Sequence, residues 1–269
     1  MNNLRRELAP ISVPAWQAID TEARRVLKLE LAGRKVVDLK GPLGPEHAAV
    51  NTGRITPLKG GPVAGVTAAR REVLPMVQLI GEFELSRAEL DAVERGAEDP
   101  DLGALVQGAS RIAQAEDTAV FYGYAAGGIR GMAEASPHAA LPIADDYNTY
   151  PKTVAEALRL LRVAGVDGPY ALALGPRCYT GLMQSTGDGG YPALQVVKRI
   201  VEGPIIWAPA VDGAIVLSTR GDDFELTVGR DLSIGYRSHS ETTVKLYFTE
   251  TMTFRVLTPE AAVALVYKK

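Results

Sequence analysis

A chain of 269 residues, 46% hydrophobic and 23% charged, has the composition of a folded protein large enough to bury its own core. A formal charge of −3 supplies no bulk attraction for nucleic acid or an anionic membrane, and no apolar stretch approaches the roughly 18 residues of a membrane span. The opening Met1–Leu8 pairs two arginines with no apolar core, so it does not read as a signal peptide, and the lone Cys178 excludes an intramolecular disulfide and suits a reducing cytoplasm.

The first element is a helix. Ser12 can cap it, Pro14 suits its first turn, and Trp16, Ile19, Ala23, Val26, Leu27 and Leu31 recur at helical spacing, with Gly33 expected to end it in the left-handed conformation. Residues 34–85 differ. Val36, Val37 and Leu39 suggest a strand, but Gly41, Pro42, Gly44 and Pro45 follow, then Gly53, Pro57, Gly60, Gly61, Pro62 and Gly65 with few large apolar residues between them. A compact domain rarely spends so many residues on a poorly packed loop. Two descriptions fit: a surface loop, or an extended two-stranded arm that packs on a neighbouring subunit. Strand-like pieces flank it at Val73–Ile80 and Phe83–Leu85.

Ser86 with Glu89 has the spacing of a capping box for a short helix through Val93 that stops at Gly96. A longer helix is expected from about Asp101 to Ala126, and another from Thr149 to Ala164 with Gly165 beyond its end. Tyr170–Leu174 is a continuous apolar run, as in a strand buried on both faces. Two short helices, near Arg177–Met183 and Pro192–Ile200, surround a glycine-rich turn. From Pro204 the pattern is β: Ile205–Trp207, Ala214–Leu217, Phe224–Val228 and Val244–Val256. The last alternates polar and apolar residues, and Glu250 breaks the pattern on its apolar side. This order is α+β and lacks the β-α-β-α rhythm of a doubly wound or barrel enzyme.

Residue types that carry chemistry are sparse. His47, His138 and His239 are far apart with no partner at metal-ligand spacing, and there is no G-x-S-x-G nucleophile elbow. Cys178 reads as a small, partly buried residue at a helix start. The glycine-rich Gly123–Gly131 follows a helix, not a strand, and lacks the Gly-Lys-Ser/Thr ending of a phosphate loop. Asp145–Asp146 and Asp222–Asp223 read as solvated turns. The expectation is a structural or binding protein with no catalytic residue and no metal site.

Several blocks together resemble the family 1 encapsulin shell protein: Leu8-Ala9-Pro10-Ile11 with Trp16, Ile19-Asp20 and Ala23-Arg24, then Leu31 to Asp38 and Gly41-Pro42-Leu43-Gly44. Glu89-Leu90-Asp91, Glu116-Asp117 with Phe121 and Gly123, and Gly168 to Leu172 continue it. Gly229 to Tyr236, Glu250-Thr251 and Thr253 to Val256 are the most specific blocks, and the likeness is collinear over essentially the whole chain.

The resemblance implies an HK97 phage capsid-like fold. Residues 1–47 would form the N-terminal arm, helix and start of the peripheral domain, and 48–72 the extended E-loop that pairs with a neighbour. The peripheral domain with its spine helix would occupy 73–134, the axial domain 135–220, and returning peripheral strands 221–269. It implies a self-assembling icosahedral shell of roughly sixty copies, a bacterial cytoplasmic nanocompartment whose partners are itself and a cargo protein, with no nucleic acid and no membrane. The cargo, a ferritin-like iron oxidase or a dye-decolorising peroxidase, would be held by a C-terminal targeting peptide. Carried over by position, the cargo groove falls on Leu27, Leu31, Arg34, Asp38, Leu232 and Ile234, although each leucine could equally hold the helix on its own core. The five-fold pore loop falls on Thr186, Gly187, Asp188, Gly189, Gly190 and Tyr191. Some relatives carry an aromatic near position 88 where a flavin stacks; Ala88 stands here, so no cofactor is expected. A phage or prophage major capsid protein, and a peptidase or bacteriocin-like enzyme, are the competing readings.

Overall fold

The computed structural model describes residues 3–185 and 191–267. Helix α1 (Val13–Glu30) starts where Ser12 Oγ accepts from the Ala15 N–H at 3.4 Å, with Pro14 in the first turn. It buries Ala15, Ile19, Ala23 and Val26, and full burial of an aliphatic side chain the size of Ile19 contributes about 1.5–3 kcal/mol. The helix stops at Glu30, and Gly33 lies beyond it in a 3-10 turn without positive φ. A Cβ at Gly33 would sit 3.0 Å from Asp117 Oδ1 and 3.2 Å from Val120 Cγ1. The glycine therefore serves a close approach to the following long helix, not the left-handed cap that its position suggests.

After β1 (Asp38–Lys40), strands β2 (Ala49–Pro57) and β3 (Ala69–Pro75) form an antiparallel ribbon that pairs with no other strand among the described residues. Ile55, Leu58, Val63, Val66 and Val73 are exposed on it. Strand β4 (Val77–Ser86) leads into α2 (Arg87–Glu94). The expected capping box does not form: the Ser86 side chain makes no cap bond, and Glu89 accepts from the Asp101 N–H at 3.0 Å instead. Helix α3 (Gly103–Phe121) ends short of Ala126, because Gly123 takes φ +98° and a minimal hairpin, β5 (Gly123–Tyr124) with β6 (Ile129–Arg130), follows at once.

The chain continues through α4 (Met132–Ala135), β7 (Leu141–Ile143), α5 (Tyr150–Val163), β8 (Tyr170–Leu174), α6 (Pro176–Gln184), α7 (Ala193–Val201), β9 (Ile205–Trp207) and β10 (Ala214–Ser218). It ends with β11 (Phe224–Val228), β12 (Ser233–His239), β13 (Thr243–Val256) and β14 (Ala262–Tyr267). One sheet is built on the long β13: β4 lies antiparallel to Thr243–Met252, β12 to Val244–Thr249 and β11 to Met252–Val256, and β1 runs parallel to β11. Helices α1, α2 and α3 join this sheet in a core that includes Ile19, Phe83, Leu90, Leu105 and Phe248. The second sheet, in the order β7-β14-β10-β8-β9, is packed by α5, α6 and α7 around Tyr150, Leu172, Val197 and Val216. Every residue of β8 is buried, as its continuous apolar run requires.

Candidate partner-binding groove

Strand β12 is an edge: β13 pairs with one side of it, and no strand among the described residues pairs with the other. The C-terminal half of α1 comes close to this strand. Between them runs a groove of about 190 Å³ whose apolar lining comes from Leu4, Ala23, Leu27, Leu232, Ile234 and Phe248. Leu27 and Leu232 are half-buried, whereas Ile234 is buried. Charges rim the groove: Arg6 pairs with Asp20 at 2.8 Å and lies 3.9 Å over the Trp16 ring, with exposed Arg24 close by. An open strand edge beside aliphatic pockets suits an extended chain that offers backbone hydrogen bonds and alternate apolar side chains.

Of the six positions that the resemblance marks, the structure brings Leu27, Leu232 and Ile234 together in this groove. The other three lie elsewhere. Leu31, just past the end of α1, is only 8% exposed. Arg34 is enclosed by acids of its own chain: Nε and Nη2 donate to Glu116 at 2.9 and 2.7 Å, Nη1 donates to Asp231 at 2.8 Å, and Nη2 also reaches Glu250. Glu116 and Glu250 are wholly buried, so the guanidinium is held inside the protein and does not face the groove. Asp38 accepts from the Asp222 N–H at 2.6 Å, beside a separate cavity of about 130 Å³ that Lys35, Ser218 and Phe224 also line. Leu4 and Arg6, which the sequence does not single out, take places on the groove lining instead.

Around Arg34 the electrostatics are unusual. Burial, and then the Glu116 charge, push the Glu250 carboxyl well above the carboxylate range, and Glu250 Oε2 is buried without a hydrogen-bond donor. Next to it, Asp117 accepts from the Ala32 and Gly33 N–H groups at 2.8 Å each, yet burial raises its pKa to about 7. Together these acids tie the end of α1 to α3 and β13.

The remaining candidates separate cleanly. Thr186, Gly187, Asp188, Gly189 and Gly190 lie outside the described residues; Tyr191 beside them is exposed, with Arg199 5.5 Å over its ring. Cys178 is fully, not partly, buried, between the Tyr150 hydroxyl at 2.7 Å and the Tyr267 hydroxyl at 3.1 Å, and burial raises its thiol pKa. Asp223 is likewise no solvated turn: it is buried and grips the Arg220 fork at 3.0 and 3.1 Å. Among the described residues, no group of three or more His, Cys, Asp or Glu side chains is placed to hold a metal, and no helix is long and apolar enough to cross a membrane.

A family model described as an encapsulating protein for peroxidase matches residues 1–253. A type 1 encapsulin shell protein of Rhodospirillum rubrum is 54% identical over 98% of this chain and 96% of its own length. The chain belongs to the type 1 encapsulin shell family. The shell protein of Mycobacterium tuberculosis is 48% identical over 98% of this chain and 99% of its own. Among solved structures, the virus-like particle of Pyrococcus furiosus matches with a TM-score of 0.66 at 18% identity, covering 92% of this chain and 97% of that one. The Gordonia phage Cozz structure matches with a TM-score of 0.57 at 12% identity, over 89% and 87%. At such identities the likeness is one of fold, and the fold is the α+β, HK97 capsid-like one. Near-full-length identity with encapsulin shells, against fold alone with phage proteins, sets the phage-capsid reading aside.

Proposed function

We propose that this chain is the repeating subunit of a closed icosahedral compartment, and that the groove between α1 and β12 holds an extended terminal peptide of a separate cargo protein. The convergence of Leu27 with Leu232 and Ile234, from opposite ends of the chain, on an open strand edge carries the peptide half of this reading. Self-assembly is supported by the β2–β3 ribbon, taken here as the E-loop. Two strands alone are marginal in water, and the exposed Ile55, Val63 and Val73 call for a surface on a second copy.

The family description favours a peroxidase as cargo, with a ferritin-like iron oxidase as the alternative. In this reading the subunit has no activity and no cofactor of its own: Ala88 is exposed on α2 and offers a methyl group where a flavin would need a ring. The family likeness carries the five-fold pore loop to Thr186–Tyr191, of which only Tyr191 is among the described residues, and in this reading Asp188 carboxylates repeated by symmetry favour cations. Asp188→Lys is then expected to slow metal entry to an encapsulated ferroxidase. Arg34 has no part in cargo contact here, because its guanidinium is committed to Glu116, Glu250 and Asp231.

Light scattering and negative-stain microscopy of the chain expressed alone test the shell. The expected result is closed particles of roughly sixty copies, about 1.7 MDa for a 28.7 kDa subunit, and a stable monomer or dimer would overturn it. The groove is tested by Leu232→Arg in shells co-expressed with cargo: particles should persist and cargo should be lost, whereas unchanged occupancy would remove the groove from the reading.

A further inference from the structure

The groove is not empty of chain. Residues 3–6 run along the open side of β12, where the Leu4 carbonyl accepts from the Tyr236 N–H at 2.8 Å. Tyr236 faces Leu246 and Ile234 faces Phe248 across the β12–β13 ladder, so the two positions have the same parity. The alternation that turns the Tyr236 amide outward also turns the Ile234 peptide groups to that edge. Leu4 itself lines the groove with Leu27, Leu232 and Ile234. Two residues on, Arg6 is seated on Asp20 and the Trp16 ring. The arm thus presents an aliphatic side chain, a strand-edge hydrogen bond and a cation to the features that an incoming extended peptide would meet.

The hold is slight. Besides the Leu4 carbonyl and the Arg6 clamp, Asn3 Oδ1 accepts from Arg230 at 2.6 Å and the Asn3 carbonyl accepts from the Tyr247 hydroxyl at 3.3 Å. Arg5, exposed between the two seated residues, takes φ +52°, a left-handed conformation that a non-glycine residue adopts under strain. A segment that is seated at Asn3, Leu4 and Arg6 by side-chain and single backbone contacts, and strained at Arg5, is suited to exchange.

We propose that residues 3–6 are a displaceable strap: they occupy the edge of β12 and wall one side of the Leu27–Leu232–Ile234 pocket in the unloaded subunit, and a cargo peptide binds by taking their place. This rests on the groove reading above and adds competition to it. By mass action, binding is weakened by the fraction of subunits whose groove is strapped, so loosening the strap strengthens capture. The strap also indicates the chemistry of the partner, which is an extended segment carrying an aliphatic residue and, two residues later, a cation.

The test co-expresses shells with a green fluorescent reporter ending in the arm's own sequence, Asn-Asn-Leu-Arg-Arg-Glu-Leu, and reads reporter fluorescence per shell subunit against an untagged reporter. The parent is expected to package the tagged reporter above background. Leu4→Asp, which unseats the strap from the pocket, and Arg6→Ala, which releases its clamp without touching the strand edge, are each expected to raise packaging at least three-fold in particles of normal size. Leu232→Arg should abolish packaging in every background. Equal packaging by parent and both arm variants, with Leu232→Arg still abolishing it, overturns the strap and leaves the groove intact. No packaging above the untagged reporter in any background shows that the arm is not a groove ligand and also overturns the strap. Packaging that survives Leu232→Arg overturns the groove reading itself, and the strap with it.

Discussion

Two regions meet near the end of α1, and they solve opposite problems. On one side the groove leaves Leu27 and Leu232 half-buried beside a strand edge that only the N-terminal arm touches among the described residues. On the other, a few residues away in sequence, Arg34 is surrounded by Glu116, Glu250 and Asp231, and Asp117 holds the Ala32 and Gly33 amides. The groove keeps apolar surface and backbone edge available, whereas the ion cluster consumes its own charges. Residues that look like one site in sequence are therefore divided between a surface that needs a partner and a joint that already has one. Asp231 links the two, since it accepts from Arg34 and also from the N–H of Leu232, the next residue, on the groove wall.

The sharpest break falls on the joint. Arg34→Ala would leave the Glu116 and Glu250 carboxyls buried around an empty centre, and losing one partner of such a cluster costs about 3–5 kcal/mol. A large fall in the denaturation midpoint, or failure to form particles, is expected; a loss below about 1 kcal/mol would show that the cluster is not structural. Arg34→Lys is expected to recover only part of it, because a point ammonium cannot reach three carboxylates with a planar fork.

The next effect is one of pH. The folded pKa values of Asp117, at about 7, and Glu250 lie above their unfolded ones. Their contribution to stability is therefore complete in acid and is lost as pH rises through the folded values. Chemical denaturation between about pH 5 and 9 should show stability declining with pH, and Glu250→Gln should flatten the decline by on the order of 1 kcal/mol. An unchanged slope in the variant would mean that Glu250 is ionised throughout. Of similar size is Gly33→Ala, whose Cβ must displace Asp117 Oδ1 and Val120 Cγ1 at 3.0 and 3.2 Å, at about 1–2 kcal/mol by thermal denaturation. A neutral outcome would restore the view of Gly33 as a simple helix terminator.

How much of this was legible depended on distance along the chain. Strand β8 is an unbroken apolar run and β11 alternates Phe224, Leu226 and Val228 with Glu225 and Thr227, so the bounds of both follow from their pattern. Strand β12 has no such run: Gly235 sits at its middle and Arg237, Ser238 and His239 are exposed, so it owes its form to pairing with β13. Glu250 is visible in sequence as a break in the β13 alternation, but its reason is not, since Arg34 stands 216 residues away. Groove positions Leu27, Leu232 and Ile234 came from a family likeness and converge; Arg34 and Asp38 came from the same block, and their partners lie in α3, β13 and the turn at Asp222. Leu4 escaped notice because a single leucine in a short polar arm carries no periodicity, and only the fold brings it to β12.

The smallest effect on stability is expected where the groove reading places the largest effect on function. Leu27 and Leu31 lie one turn apart on the same stretch of chain, and both are leucines. Leu31 is only 8% exposed, so Leu31→Ala should cost about 2–5 kcal/mol as a core truncation. Leu27 is half-buried and already borders open space, so Leu27→Ala should cost less than about 1 kcal/mol. The groove, by contrast, loses part of its aliphatic wall with Leu27 and none with Leu31. Shells of Leu27→Ala should keep their melting temperature and retain less cargo, while Leu31→Ala should lower the melting temperature and spare cargo retention in whatever particles form. If both variants lose cargo in proportion to lost stability, retention follows general integrity of the subunit, and the division between groove and joint is removed. If Leu27→Ala alone uncouples the two readouts, a single turn of α1 separates the surface that waits for a partner from the joint that does not.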